Sequence, residues 1–474
     1  VATANDTRLT GAEVAGLTGG RVISGDPATR IDRWSIDTRS MQPGDLFVAI
    51  RGERFDGHEF VATALAAGAA GAVVAADGAV PPVAGQAGPA PLVIQVADTT
   101  RALQDAAREV RRRSGAKVVA ITGSAGKTTT KEMTAEFVSA KYTVFRNRGN
   151  LNNHIGLPLS LLELRSRPDV AVVELGMNHA GEIRTLIGIA EPDVRVWTNV
   201  GDAHLGFFAS ADAIADAKAE VLEAARRTDL LVANADDERI RARTSAFAGR
   251  TLTFGLSAEA AIRASGVEHR GLDGMAATIR TPHGTARVET ALLGSGNLLN
   301  LLAATAVATD MGVSLSDVAE RARQMKPPSH RGELLRLPGG VTLVDDSYNS
   351  SPAALARALE TITVATGSAR KIAVLGEMLE LGAHSADLHA QAGRAAAGSG
   401  LDLLVAIGGA GAQALAFAAA NAGMPASSVI YVPTSGEAAE VVARKARPGD
   451  LVLVKGSRGI RTDLVVDRLK VEFA

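Results

Sequence analysis

The sequence predicts an α/β protein built on parallel sheets, and three observations carry that expectation. Apolar runs such as Val118–Ile121, Val170–Val173 and Val194–Trp197 each stop at polar residues, with helical stretches between them. Strands of that kind, buried on both faces and alternating with helices, belong to parallel sheets. The first run ends in Gly123-Ser124-Ala125-Gly126-Lys127-Thr128, a glycine-rich turn that enters a helix. Beyond Pro327-Pro328 a second series of apolar strands alternates with Ala-rich helices, the pattern of a Rossmann-like domain. The 474 residues suffice for roughly three domains.

Up to about Asp98, short strands alternate with one Ala-rich helix, which precedes the strand Ala72–Ala75. A Pro/Gly-rich stretch from Pro81 to Pro91 lies near the end of this part. A helix over about Ala102–Arg113 leads into the first central strand, and Arg111-Arg112-Arg113 reads as its solvated end. Between Thr251 and Leu293 the pattern changes to period two, in Ala277–Thr281 and Thr285–Glu289 around His283-Gly284. That predicts a small antiparallel hairpin region. Helices over about Asn297–Met311 and onward to Met325 follow. Strands are then expected at Val341–Val344, Ile372–Leu375, Leu403–Ile407, Val429–Val432 and Leu451–Val454. These breaks divide the chain into residues 1–98, 99–326 and 327–474.

Composition excludes several classes. Fifty basic and 51 acidic residues nearly cancel, which gives no footing for nucleic acid or an anionic membrane. The chain has no cysteine, which rules out disulfides and thiol catalysis and fits a reducing cytoplasm. Aromatics make up 3%, so the cores must be built from Ala, Val, Leu and Ile. Val1–Leu9 has no apolar signal core. The weakly charged stretch 61–97 is broken by Asp77, glycines and Pro81-Pro82, so no membrane span is expected.

The glycine-rich turn carries the clearest chemistry. It aims backbone N–H groups and a helix N-terminus at one point, where a phosphate can sit. Lys127 adds a cation, and the Thr128 hydroxyl suits Mg²⁺. The spacing is G-x-x-G-K-T, with Ile121 where the usual phosphate loop has its first glycine. Glu174 ends a strand and is either a metal ligand or a helix cap. His204 and Lys218, read alone, are an ordinary hydrogen-bonded histidine and a surface lysine. Asn297 and Asn300 share a helix face and either read a purine edge or cap the helix. Arg331 suits a phosphate and Asp346 a ribose, and both also suit an interdomain salt bridge. Lys455 and Arg458 surround a flexible turn fit for a carboxylate, or simply for solvent.

In this order the motifs resemble the Mur ligase family, the ATP-dependent amide-forming enzymes of peptidoglycan assembly. T-G-S-A-G-K-T-T resembles its ATP loop, and G-N-L-N-N-H-I-G-L-P the segment that follows. E-L-G-M-N, N-V-G-D-A-H-L and A-K-A-E resemble its metal and carbamylated-lysine regions. G-N-L-L-N resembles its adenine segment, and H-R-G-E with D-D-S-Y-N-S-S-P its third-domain nucleotide contacts. Three architectural parts are thereby implied: a small uridine-nucleotide domain, a central P-loop ATPase-like domain and a C-terminal Rossmann-like domain.

Within the family, D-D-S-Y-N-S-S-P, G-E-M-L-E-L-G and the closing V-K-G-S-R resemble the member that joins D-alanyl-D-alanine to a UDP-N-acetylmuramoyl-tripeptide. The ligase that adds the third peptide residue is the alternative, but its Asp-Asn-Pro-Arg signature is absent. A nucleotide-dependent switch without ligase chemistry would leave the basic loops of the last domain without a role.

The resemblance assigns Gly123, Ser124, Ala125, Gly126, Lys127, Thr128 and Thr129 to ATP, with Arg331 at the γ-phosphate. Asn297 and Asn300 fall at adenine and Asp346 at the ribose. Thr128, Glu174, His204 and a carbamylated Lys218 fall around two Mg²⁺ ions. Lys127, Lys218, His204 and Arg331 form the expected catalytic group. Ser35, Thr38 and Arg39 are expected at the uridine nucleotide. Asn150, Asn152, Asn153, Tyr348, Asn349, Lys455 and Arg458 are expected at the remainder of the substrates. One departure stands out: many members have His before the first Asn of the adenine segment, and this chain has Gly296. A cytoplasmic monomer is the implied setting.

Overall fold

The computed structural model describes residues 8–78, 90–202 and 205–474. Besides a two-stranded pair, Leu9–Thr10 with Arg30–Ile31, three larger sheets follow one another along the chain. The first has the order Arg21–Ser24, Leu92–Val96, Gly71–Ala75, Leu46–Val48, Trp34–Ser35, parallel except for the first pair. The Ala-rich helix spans Val61–Ala66 and leads into the wholly buried strand Gly71–Ala75. Of the stretch Pro81–Pro91, the part up to Pro89 lies outside the described residues.

The central sheet has nine strands, with Lys117–Thr122 between Val194–Trp197 and Val170–Glu174 and Val144–Arg146 at one edge. Leu230–Asn234, Arg250–Gly255 and Ile262–His269 continue it on the other side, all in parallel. The period-two region is not a separate hairpin unit. Met275–Thr281 and Gly284–Thr290 extend the same sheet in antiparallel fashion, through a short join at Phe254–Ile262 and Gly255–Arg263. Helix Ser295–Asp310 then packs on helix Lys127–Val138, and its buried Ala303, Ala304 and Ala306 keep that side of it slim.

The third sheet runs Glu333–Arg336, Thr342–Asp346, Asp450–Lys455, Arg370–Gly376, Leu403–Ile407, Val429–Val432, with only the first strand antiparallel. That first strand went unforeseen, since it begins within H-R-G-E. After strand Leu403–Ile407 the chain turns through Gly408-Gly409 into helix Ala410–Asn421. The Glu377 carboxylate is seated at this helix start. It accepts from the Gly409 and Gly411 N–H groups at 2.6 and 2.9 Å.

Helix Thr99–Ser114 explains how the first two sheets are joined. Asp98 caps it by accepting from the Thr100 and Arg101 N–H groups at 2.8 and 3.0 Å, and Gly115, at φ 70°, ends it. Its apolar face, Ala102, Leu103, Ala106, Ala107 and Val110, belongs to one core together with Leu46 and Ile94 of the first sheet and Val118 and Ala171 of the second. The third sheet has separate cores on its two faces. At the end of the same helix the expected solvated arginine cluster is not uniform. Arg111 is buried and donates to the Ala190 and Glu191 carbonyls and to Asp193 at 2.7–2.9 Å, fixing the helix to the central sheet. Arg112 pairs with Glu191, and Arg113 with Glu13 and Glu109.

Beneath the central sheet, Arg195 and Asp229 form a fully buried ion pair at 2.8 Å between adjacent strands. Asp229 also accepts from the Arg226 backbone and guanidinium, both at 2.9 Å. Removing one member strands the other charge in an apolar interior. Asp229→Ala is expected to lower unfolding free energy by about 3–5 kcal/mol in urea titration.

Candidate active site

The phosphate loop is shaped by the strand end beside it. Strand Lys117–Thr122 keeps Ile121 fully buried, in register with Glu174 and Val196, so the turn proper starts only at Gly123. The Ser124 N–H donates to the Asn199 carbonyl at 3.0 Å, and the Ala125 N–H to Asn199 Oδ1 at 2.8 Å. Asn199 Nδ2 and Thr198 Oγ1 both donate to the Ala125 carbonyl at 2.9 Å. A Cβ on Gly123 would lie 2.0 Å from Thr198 Oγ1, and one on Gly126 would lie 2.3 Å from Asn300 Oδ1. Gly126 has φ 80° and precedes helix Lys127–Val138, whose start faces the cleft. Both glycines are therefore sterically required.

Behind the loop lies an acidic and cationic group. Thr128 Oγ1 donates to Glu174 Oε2 and Asn152 Nδ2 to Glu174 Oε1, each at 2.8 Å. The Glu174 N–H donates to Asn147 Oδ1, while Lys131 Nζ donates to the Asn147 carbonyl at 2.6 Å. Lys127 Nζ rests on the Gly123 carbonyl at 2.8 Å. Its pKa is held below the ordinary lysine value by burial; Glu174 opposes that shift and Arg331 adds to it. Lys218 is buried, and its Nζ makes no hydrogen bond or ion pair among the described residues. Burial first, and then the Lys127 charge, push its pKa well below the usual lysine range. His204 lies outside the described residues.

The third sheet supplies the opposite wall. Arg331 Nη2 donates to Thr128 Oγ1 at 3.2 Å, and its guanidinium stands 4.0 Å above the Tyr348 ring. Arg458 approaches the same ring at 5.6 Å, so Tyr348 carries two cations. The turn holding Arg331 is fixed by His330 Nδ1 against Asp345 Oδ2 at 2.8 Å, with Ser347 Oγ donating to Asp345 Oδ1 at 2.6 Å.

Two adjoining clefts result. One is lined by Gly294, Asn297, Asn300, Asp346, Lys455 and Arg357, among others; the second by Lys127, Thr128, Asn150, Asn153, Glu174, Tyr348 and Arg458. They share Ser124, Ala125, Gly126, Arg331 and Asn349–Ser351. Thr129 lines the first cleft from the helix start. Asn297 and Asn300 hydrogen-bond each other at 3.2 Å, and Asn297 also donates to the Leu293 carbonyl at 2.9 Å.

Several residues stand elsewhere than expected. Lys455 lines the first cleft rather than the second, paired with Asp346 Oδ2 at 2.6 Å and donating to the Asn349 carbonyl at 2.9 Å. Asn152 orients Glu174, and Asn153 Oδ1 accepts from the Ile155 and Gly156 N–H groups at the start of helix Gly156–Leu162. Ser35 ends the edge strand of the first sheet, Thr38 and Arg39 follow it, and none of the three lines either cleft. Arg39 is exposed and paired with Asp37, whose pKa this contact lowers to about 2. Asn199 and Arg357 were not foreseen. Asn199 stood in a quoted strand-end motif, whereas nothing local marks Arg357 in its helix.

Family models match three consecutive stretches: "Mur ligase family, catalytic domain" at residues 30–111, "Mur ligase middle domain" at 121–308 and "Mur ligase, glutamate ligase domain" at 330–458. The UDP-N-acetylmuramoyl-tripeptide–D-alanyl-D-alanine ligase of Bacillus subtilis is 33% identical, covering 91% of this chain and 92% of that protein. A crystal structure of MurF from Acinetobacter baumannii superposes with TM-score 0.87 at 31% identity, covering 98% and 99% of the two chains. A structure of MurF ligase from Thermotoga maritima in complex with ADP gives TM-score 0.80 at 29% identity, covering 93% and 97%.

Asn199 makes its contacts to Ala125 through both ends of its amide, so Asn199→Ala removes two bonds that shape the loop. ADP affinity is expected to fall by about 2 kcal/mol, roughly 30-fold, in titration calorimetry.

Proposed function

The chain belongs to the Mur ligase family, and we propose that it joins D-alanyl-D-alanine to a UDP-N-acetylmuramoyl-tripeptide with ATP as energy source. The single observation that carries this reading is the meeting of two clefts at Ser124–Gly126 and Arg331. A nucleotide in the first would point its phosphates at an acceptor in the second. The names of the curated relatives and the ADP-bound neighbour support the same substrates. No helix among the described residues is long and apolar enough to cross a membrane, which suits the cytoplasmic stage of cell-wall precursor synthesis. We divide the chain into a UDP-sugar-binding part at 1–98, an ATP-binding part at 99–326 and a C-terminal part at 327–474, acting as a monomer.

In the proposed reaction the tripeptide's terminal carboxylate attacks the γ-phosphorus of ATP, giving an acyl phosphate and releasing ADP. The dipeptide's amine then attacks the acyl carbon and loses a proton, and phosphate departs. Carboxylate and triphosphate repel one another, so the site's first task is to supply positive charge. Lys127 and Arg331 do so from opposite walls. Arg458, beside Tyr348 on the acceptor side, is placed for the dipeptide carboxylate. Asp346 accepts from the ribose hydroxyls, and Lys455 holds its carboxylate in position. The end of the edge strand at Ser35, with Thr38 and Arg39 beyond it, takes the uridine nucleotide.

Mg²⁺ fits the donors present. Thr128 and Glu174 offer a hydroxyl and a carboxylate at the phosphate loop, and the described residues contain no cluster of three or more His, Cys, Asp or Glu. A hard cation that keeps water and phosphate oxygens suits so sparse a set. When bound, it offsets phosphate charge. Lys218 fits carbamylation, because it is buried and burial shifts its pKa downward, toward the neutral amine that adds CO₂. With His204 it would hold a second ion.

ATP-dependent phosphate release should require both the UDP-linked tripeptide and D-alanyl-D-alanine; equal turnover with a single amino acid in place of the dipeptide would refute the assignment. Lys218→Ala should lose nearly all activity, recover part of it with a short added carboxylate, and lack a ¹³C carbamate resonance in bicarbonate that the parent shows.

A further inference from the structure

We infer that Arg357 binds the purine ring of the nucleotide from the C-terminal sheet's first helix, using space that exists because residue 296 is glycine. The inference rests on the first cleft being the ATP site. Arg357 lies on helix Pro352–Val364 and lines that cleft with Gly294, Gly296 and Asn297, which begin a helix of the central part. A Cβ on Gly296 would stand 3.0 Å from both Cδ and Nε of Arg357. The arginine side chain therefore lies directly against backbone, at a spot any larger residue would crowd.

Its guanidinium is poorly placed for a merely structural role. It makes no hydrogen bond or ion pair with the described residues, although burial holds its pKa below the ordinary arginine value. Glu360 and Asp346 act on it only from beyond pairing distance. The guanidinium is half-buried and unpaired, and the cleft it lines is where a partner can arrive.

Position selects the base over the phosphates. Asn300 touches Gly126 of the phosphate loop, and Gly296 lies four residues earlier on the same helix, about 6 Å along its axis. Lys127 and Arg331 already serve the phosphate end. Leu293, Leu299 and Ala358 line the first cleft as well, an apolar setting that suits a ring. Guanidinium is planar and weakly hydrated, so it stacks on a flat π-system where an ammonium does not. Gly296 and Arg357 thus form a complementary pair across two sheets, with the arginine doing the work of a side chain that position 296 lacks.

Calorimetry of ADP against tripolyphosphate tests this. Arg357→Ala and Arg357→Lys should each weaken ADP binding roughly tenfold, whereas tripolyphosphate, which has no base, should bind all three proteins alike. An equal loss for tripolyphosphate would make Arg357 a phosphate ligand and overturn the inference, as would unchanged ADP affinity in Arg357→Ala. Gly296→Ala gives an independent reading. It should weaken ADP binding in the parent and not in the Arg357→Ala background, and equal losses in both would overturn the pairing. If the parent itself binds no ADP, the ATP assignment of the cleft fails, and that result is distinct from the others.

Discussion

The grip of strand end Thr198-Asn199 on the phosphate loop is the interaction on which the rest of this site depends. Four loop residues cannot hold a phosphate cradle by themselves, since two are glycines and the others carry only a hydroxyl and a methyl. Asn199 supplies a backbone acceptor and both ends of an amide, and Thr198 adds a hydroxyl. The same closeness forbids any Cβ at Gly123. The unusual spacing has its cause here too. Position 121 is still a fully buried strand residue, so the chain has no freedom to turn there and no need of a glycine.

The three sheets are joined unequally. The first and second share one hydrophobic core through helix Thr99–Ser114, which makes relative movement between them expensive. The third has a core on each face, one of them taking in Leu293 and Leu272 of the central part, and meets the phosphate loop through polar groups, chiefly Arg331 on Thr128. Polar contacts of this kind exchange with water at little net loss. The cations on the two walls are thus carried by bodies joined by little shared core, Leu293 and Leu272 being the central part's apolar contribution to the third sheet's core.

Most strands were legible in the sequence because they are buried on both faces and read as unbroken apolar runs. What failed to show depends on partners distant in sequence. Met275–Thr281 and Gly284–Thr290 were correctly seen as paired, yet nothing local says that they extend a parallel sheet. Glu333–Arg336 is half polar and edge-placed, so its pairing with Thr342–Asp346 left no apolar trace. Arg111 and Arg112 are adjacent and chemically identical, and only the tertiary position of Asp193 and the Ala190 carbonyl makes one of them internal. The site behaves likewise. The motif order singled out Gly123–Thr128, Glu174 and Arg331, which the fold brings together at Thr128, whereas the attachment of Lys455 to Asp346 is a cross-strand fact, since the two residues stand opposite each other in register.

Glu377 gives the C-terminal sheet a particular character. Its carboxylate occupies the glycine-lined start of helix Ala410–Asn421, where the N–H groups and helix dipole of a Rossmann-like fold ordinarily receive a ligand's phosphate. The domain thereby carries a tethered anion at this helix start. A free nucleotide would have to evict a group whose local concentration it cannot match. The next residues along the chain, Leu379–Leu381, line the acceptor cleft. A helix start suited to an anion thus serves as a peg for the loop that lines the second cleft.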